Sequence, residues 1–349
     1  MSNTFPIIEG GYVRDIHAQP RALEETVNGL ELSPALQEAA AGLAARRFER
    51  VVLTGMGGSF WALQPLYLQL LKHGRTALMV ETSELIHVLP EILDRRTLLV
   101  VVSQSGRSAE TVRLFDARQP ECFMLAVTNT PDSPLAERAD ATVLTRAGEE
   151  FTVSCKTYVA ALVALQWVAD VLTARDLGRS VEELSTAAPA AAAYLAGWRE
   201  HVQEAAEELK DARDLFLLGR GSSIATAGTG GLIAKESAHF HSEGMSSAAF
   251  RHGPFEMLHA GIYALVFEGD PALSSLHRRL VEDIREAGAR ASLVGEAAGR
   301  AAFRLPHVPA SVRPVLEILP VEMVTLALAA MAGREAGKFE RATKVTTTE

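Results

Sequence analysis

Apolar and polar positions alternate in blocks along this chain. Residues 97–102, Thr-Leu-Leu-Val-Val-Val, run without a polar break after the first position. That is the mark of a strand buried on both faces of a parallel sheet. Similar runs at 50–54, 76–80, 122–127 and 141–144 complete a first set, with helical patterns between most of them. After a long helical stretch to about residue 210 the alternation resumes at 214–218, 262–267 and 291–294, and a helix over 313–336 closes it. Strands alternating with helices predict an α/β fold of two tandem, doubly wound parallel sheets flanked by helices.

The two sets resemble each other. Val52-Leu-Thr-Gly-Met-Gly-Gly-Ser-Phe-Trp-Ala62 lines up with Phe216-Leu-Leu-Gly-Arg-Gly-Ser-Ser-Ile-Ala225 as strand, Gly-x-Gly-x-Ser turn and helix, about 165 residues apart. A repeat of one α/β unit follows. The expected organisation is a helical segment over 1–45, a first domain over 46–180, a helical connector over 181–210, a second domain over 211–336 and a tail over 337–349. The alanine-rich stretch 187–196 belongs to the connector.

Candidate chemistry begins after the 97–102 strand, at Ser103-Gln104-Ser105-Gly106-Arg107-Ser108, with a helix expected from Ala109. A hydroxyl-rich turn between a parallel strand and a helix start is a ready anion site. Backbone N–H groups and the helix dipole face the ligand, and serines add donors. Its natural ligand is a phosphate monoester. Serine is also a preferred helix cap, so a single serine would carry no such reading. The Gly55-x-Gly57 turn raises the alternative of a dinucleotide. Its third glycine would fall at position 60, which is Phe60, and the acid Glu81 alone is weak support. Ser59 fits a phosphate or a sugar hydroxyl better, and no cofactor is expected.

Composition narrows the class. The 349 residues suit two domains, and 48% hydrophobic with 22% charged is ordinary for a globular enzyme. A net charge of -9 with no basic helical face argues against nucleic acid as a partner. The two cysteines, Cys122 and Cys155, suit a reducing cytoplasm. The first ten residues lack the pattern of a signal peptide. The apolar helix expected over 159–170 is too short for a bilayer, which needs about 20 residues, so no membrane partner is expected.

Three further residues carry reactive groups: Glu236, His252 beside Gly253-Pro254, and Lys344 in the polar end of the chain. A carboxylate, an imidazole and an amine are the set that aldose–ketose chemistry uses to open a ring, move a proton between carbons 1 and 2, and hold a carbonyl. Spacing alone does not show that they meet. Glu236, His239, His241 and Glu243 are crowded within eight residues, but on a helix His239 and His241 point in different directions, so no metal is expected.

On these residues the chain resembles the double SIS (sugar isomerase) family, the isomerase half of glutamine–fructose-6-phosphate aminotransferase and its stand-alone relatives. The resemblance rests on 15–23, Ser103-Gln-Ser-Gly106, Val153-Ser-Cys-Lys-Thr157, Gly219-Arg-Gly221, Lys235-Glu236, His252-Gly-Pro254 and the end 344–349. It implies that Ser59, Ser103, Gln104, Ser105 and Ser108 hold a sugar phosphate, with Ser154 near the sugar. It implies further that Glu236 shuttles the proton, that His252 acts as ring-opening or leaving-group acid, and that Lys344 is the amine near the carbonyl. It also implies a homodimer in which the histidine reaches into the neighbour's site.

Two departures shape the expectation. The aminotransferase carries a glutamine-hydrolysing domain with a cysteine after its initiator methionine, where this chain has Ser2. It also has a lysine one turn before the glutamate, where this chain has Ile233. The expected activity is therefore isomerisation of an amino- or aminoacyl-sugar 6-phosphate with carbon–nitrogen cleavage, as in deaminases and deglycases. The alternatives are a plain aldose–ketose phosphosugar isomerase and a non-catalytic phosphosugar-binding regulator.

Overall fold

The computed structural model describes residues 6–341 and 343–346. Residues 1–5, 342 and 347–349, with the expectations on Ser2 and on the last three tail positions, lie outside the described residues. The chain forms two compact units that interleave along the sequence. One comprises Arg21–Glu150, Lys156–Ser185 and 343–346, and the other 6–20, Phe151–Cys155 and Thr186–Arg341. The expected boundaries run one after another, whereas here the first helix and the short 151–155 segment pack with the later sheet.

The first unit holds a five-stranded parallel sheet in the order β2-β1-β3-β4-β5. Its strands are β1 (Arg50–Gly55), β2 (Ala77–Glu81), β3 (Thr97–Val102), β4 (Phe123–Thr128) and β5 (Ala141–Leu144). Every residue of β3 and β4 is buried, while the edge strand β5 alternates and the edge strand β2 is buried only at Ala77. The central apolar runs are thus covered by helices on both faces. The helix Lys156–Leu172 is buried along its whole length. Its mid-helix polar residues Gln166 and Asp170 are satisfied rather than exposed: Gln69 and Gln166 each donate to Asp170 at 2.9 Å.

The second unit holds a four-stranded parallel sheet in the order β7-β6-β8-β9. Its strands are β6 (Asp214–Gly219), β7 (Ser242–Ser246), β8 (Ile262–Phe267) and β9 (Arg290–Val294). β7 has no counterpart in the expected pattern, because Ser-Glu-Gly-Met-Ser contains no apolar run. Glycines explain why it pairs. A Cβ on Gly244 would lie 1.8 Å from the Ala227 carbonyl oxygen, and one on Gly231 2.5 Å from the Gly244 nitrogen. Strand and helix backbones approach too closely here for side chains.

The two faces of this sheet are covered differently. Leu217 faces the helices Ile224–Ala238 and Arg313–Met331, where a Cβ on Gly230 would meet Leu217 at 2.6 Å and Val321 at 3.1 Å. Phe216 and Leu218 face the other way, into a cluster with Phe250, Leu280, Val281 and Ile284. The helix Arg313–Met331, and not the 159–170 stretch, is long and apolar enough to cross a membrane; its apolar window is 94% buried within the fold. It is the central helix of a protein core.

Candidate functional site

In the first sheet the strand order reverses between β1 and β3, and ligands of doubly wound folds sit in the crevice at the carboxyl ends of such a pair. Both turns singled out from the sequence are there. The register pairs Gly55, the last residue of β1, with Val102, the last of β3. The chain then enters the short helix Gly57–Ala62 carrying Ser59 on one side and the Ser103–Ser108 turn on the other. A Cβ on Gly55 would lie 3.0 Å from the Val102 carbonyl oxygen and 3.1 Å from the Ser59 backbone, so glycine lets the two turns close together.

The serine turn is held before any ligand arrives. The Gln104 carbonyl accepts from Asn129 N at 3.1 Å, Thr130 Oγ1 at 3.2 Å and Thr128 Oγ1 at 3.3 Å, which ties the turn to the end of β4. Gly106 has φ +61°, and a Cβ there would lie 2.3 Å from Ser133 Oγ. Only glycine satisfies both constraints. Ser108 is the N-cap of the helix Ala109–Ala117, accepting from Thr111 N at 3.4 Å.

The turn also spends part of its donor capacity on itself. Gly106 N donates to Ser103 Oγ at 3.1 Å, and Arg107 N to Ser105 Oγ at 3.2 Å. The expected ring of backbone N–H groups is therefore incomplete. Among the described residues the N–H groups of Gln104, Ser105 and Ser108 have no partner. A hydroxyl that accepts from the backbone still has its proton to give, so Ser103 and Ser105 become donors to whatever lies in front. Ser103 is 8% exposed and Ser105 more open, which makes Ser105 the more accessible of the two.

Lys344, isolated in sequence, is brought to this turn. Its Nζ lies 2.7 Å from Glu150 Oε2, and the Glu150 side chain is 0% exposed. Glu150 is itself fixed, accepting from Thr157 N at 3.0 Å and from Thr157 Oγ1 at 2.6 Å. Two residues beyond Lys344, the Thr346 carbonyl accepts from Ala109 N at 3.1 Å. The 343–346 segment thus lies on the first residue of the helix that Ser108 caps. Sequence reading missed Glu150 and Thr157, because the partner of Glu150 is 194 residues away.

Glu236, His252 and Ser154 belong to the second unit. Glu236 sits half-buried in the last turn of the helix Ile224–Ala238, beside Ser237, whose carbonyl accepts from Gly337 N at 3.0 Å. His252 is exposed and follows the helix Ser247–Arg251, at the bend where Gly253 takes φ +141°. Phe250, two residues earlier, packs on Phe216 with ring centroids 5.2 Å apart, on the face away from the 224–238 helix. Glu236 and His252 are therefore on opposite faces of the second sheet. Ser154 lies in the segment anchored by buried Asp15, which accepts from Phe151 N at 3.3 Å and Thr152 Oγ1 at 3.2 Å.

The crowded acid and histidine group is dispersed. The helix ends at Ala238, His239 caps it at φ +53°, and His241 Nδ1 pairs with Asp214 Oδ1 at 2.7 Å. Glu243 is in β7. Among the described residues no three His, Cys, Asp or Glu side chains are placed to hold a metal ion.

Comparison with known proteins matches residues 43–170 to the SIS domain. A glutamine–fructose-6-phosphate aminotransferase (isomerizing) from Pyrococcus horikoshii is 29% identical over 364 residues, an alignment that covers 98% of this chain. The chain spans 59% of that relative's length. The C-terminal domain of glucosamine-fructose-6-phosphate aminotransferase from Francisella tularensis has the same fold, with TM-score 0.83 and 20% identity, over 95% of this chain and 98% of that one. Glucosamine-6-phosphate deaminase from Thermotoga maritima has it too, with TM-score 0.77 and 17% identity, over 97% and 100%.

Proposed function

Since residues 43–170 match the SIS domain, we propose that the chain acts on an amino- or aminoacyl-sugar 6-phosphate, isomerising it and breaking its carbon–nitrogen bond. The observation that carries this reading is the hydroxyl turn at the β1/β3 switch point with Lys344 pinned beside it. Ser105 and the open N–H groups of Gln104, Ser105 and Ser108 hold the phosphate, and Ser59 closes the other side. Ser103 and Gln104 complete the turn. The relative from Pyrococcus is named for an isomerising step on fructose 6-phosphate with transfer of nitrogen, and that chemistry supports a nitrogen-bearing phosphosugar here.

The reaction moves one proton between carbons 1 and 2. An amine on one of these carbons becomes an imine as the other carbon gains the proton, and water then cleaves the imine to a carbonyl and an amine. Glu236 is the base that lifts and returns the proton. Lys344, paired with Glu150, presents an ammonium toward the carbonyl or hydroxyl oxygen, and Ser154 contacts the sugar. His252 serves as the acid. The placement of Glu236 and His252 on opposite faces of one sheet supports a site that takes its histidine from a second copy of the chain, as a homodimer with shared sites. Ile233 in place of a lysine supports the bond-breaking direction over synthesis.

A thermal-shift series tests the reading. Glucosamine 6-phosphate and fructose 6-phosphate are expected to raise the melting temperature, with about 2.7 kcal/mol gained at 100 times Kd. The unphosphorylated sugars are expected to leave it unchanged. Ser105→Ala weakens the phosphosugars about tenfold, the value of one hydrogen bond to a charged group. Release of ammonia or amine on turnover distinguishes cleavage from plain isomerisation. Binding without any turnover identifies a sensor instead.

A further inference from the structure

The second sheet also has a switch point, between β6 and β8, and the turn there repeats that of the first sheet. Gly219, like Gly55, has no room for a Cβ, which would lie 2.7 Å from the Ser223 carbonyl oxygen. Gly221 has φ +59° where Gly57 has φ +55°. A Cβ on Gly221 would meet nothing within 4 Å, so the backbone at the turn looks onto open space. The turn after β8 closes against it, since a Cβ on Gly269 would be 2.7 Å from Ser223 Oγ.

The charges at this crevice are unevenly satisfied. The acids are engaged: Glu317 accepts from Ser223 Oγ at 2.8 Å, and Glu268 from Ser274 Oγ and Arg278 Nη2 at 2.6 Å each. The donors are not. Among the described residues the half-buried Arg220 side chain has no hydrogen bond and no ion pair, and its Nε is buried. His277 is 0% exposed, and its Nε2 has no partner among the described residues. A buried donor or acceptor left unmade costs about 1–3 kcal/mol, so two such groups, one on the turn after β6 and one on the helix after β8, call for an occupant.

The imidazole also states which kind of occupant. His277 Nδ1 lies 2.8 Å from the Glu268 carbonyl oxygen, which only accepts, so Nδ1 carries the hydrogen. Burial foremost, and the nearby Arg220 guanidinium, hold the ring below its ordinary pKa. Nε2 is then a lone pair, and it requires a hydroxyl proton from its partner. An ammonium donor is disfavoured beside Arg220. A sulfate ion has no proton to give near neutrality, whereas phosphate and its monoesters, with a second pKa near about 6, retain one in a large fraction.

We propose that the β6/β8 crevice is a second anion site, taking hydrogen phosphate or a phosphate monoester between the Arg220 fork, the Gly221–Ser222 backbone and the His277 Nε2 lone pair. Arg220 donates to the oxygens that carry charge, and the protonated oxygen donates to His277. This site stands independently of the function proposed for the first sheet.

Calorimetric titration at pH 6.5 separates the two sites. In Ser105→Ala protein, whose first-sheet site is weakened about tenfold, inorganic phosphate is expected to keep one site per chain at its unaltered affinity, sulfate to bind that site at least tenfold more weakly, and added Arg220→Gln to weaken phosphate there tenfold or more. Glucosamine 6-phosphate in the same protein tells whether the ester or the free ion is preferred, by displacing phosphate or failing to. Equal phosphate affinity with and without Arg220→Gln, or equal affinity for sulfate, overturns the proposal. Should the Arg220 variant fail to fold, the unaltered chain decides. The His277 Nε2 resonance, assigned by its loss in His277→Gln, shifts as phosphate is added, and a resonance unmoved at saturation overturns the site. Sugar-phosphate binding untouched by Ser105→Ala would instead defeat the first-sheet reading and leave this one standing.

Discussion

The two sheets carry the same backbone turn after their first strand and different chemistry after the next strand across the switch point. Beyond β3 the chain reads Ser-Gln-Ser-Gly-Arg-Ser, and beyond β8 it reads Glu-Gly-Asp-Pro. Both segments place a glycine at positive φ, +61° at Gly106 and +59° at Gly269. The first segment surrounds its glycine with hydroxyls and receives the end of the chain through Thr346 and Lys344. The second surrounds it with carboxylates already engaged, Glu268 by Ser274 and Arg278 and Asp270 by Ala272 N, and the charge left over is the Arg220 guanidinium. A duplicated fold thus preserves crevice geometry, which backbone sterics dictate, while side chains on one loop decide what each crevice admits.

The sharpest way to break this comparison is to remove the base proposed in the second unit. Glu236→Gln keeps size and hydrogen bonding but not basicity. Turnover is expected to fall about 100-fold or more, with phosphosugar affinity unchanged and with loss of carbon-bound hydrogen exchange in deuterated water. Mixing Glu236→Gln chains with His252→Ala chains restores part of the activity if each site borrows its histidine. Near-normal turnover in Glu236→Gln places the base elsewhere.

A second test asks whether a left-handed glycine costs the same to replace in the crevice turn of each sheet. Gly106→Ala adds a Cβ 2.3 Å from Ser133 Oγ at φ +61°, so both strain and overpacking apply. The expected loss is about 3–5 kcal/mol in unfolding free energy. Gly221→Ala meets open space at φ +59° and is expected to lose about 1–2 kcal/mol from backbone strain alone. Equal losses in denaturant titrations would show that the serine turn relaxes around the added methyl.

The third test is by pH. Burial pushes the Glu317 carboxyl up to about 7, against a usual value of 4.5, although Ser223, Arg313 and Thr226 oppose it. Below about pH 4.5 both folded and unfolded chains carry this proton. Between there and about 7 the unfolded chain ionises while the folded one does not, so this group lowers stability as pH rises through that window and adds nothing further above it. The effect is at most about 3 kcal/mol. Glu317→Gln is expected to flatten the decline in melting temperature across this range, while variants of the first-sheet turn leave it in place.

Much of the architecture was legible in the residue pattern. The buried runs of β3, β4 and β8 announce central parallel strands, and the paired Gly-x-Gly-x-Ser turns announce the repeat. The candidate phosphate turn was legible too, because its hydroxyls are contiguous. β7 was not, since it pairs through glycine contacts and polar residues and has no apolar signal. The 313–331 helix was read only as the closing helix, although it is the longest apolar one.

What the sequence by itself determined is local: which segments extend or coil, where glycine permits a left-handed turn, and which short stretches concentrate donors. These depend on neighbours a few residues apart. What only the tertiary structure decided is which distant groups face each other. Lys344 meets a buried acid 194 residues away. Glu236 and His252, sixteen positions apart, go to opposite faces because a strand passes between their helices. The N–H groups of Gly106 and Arg107 turn inward to serines where a ligand was expected. The physical reason is common to all three: the directions in which side chains and turn N–H groups point follow from packing, and packing is a property of the whole unit.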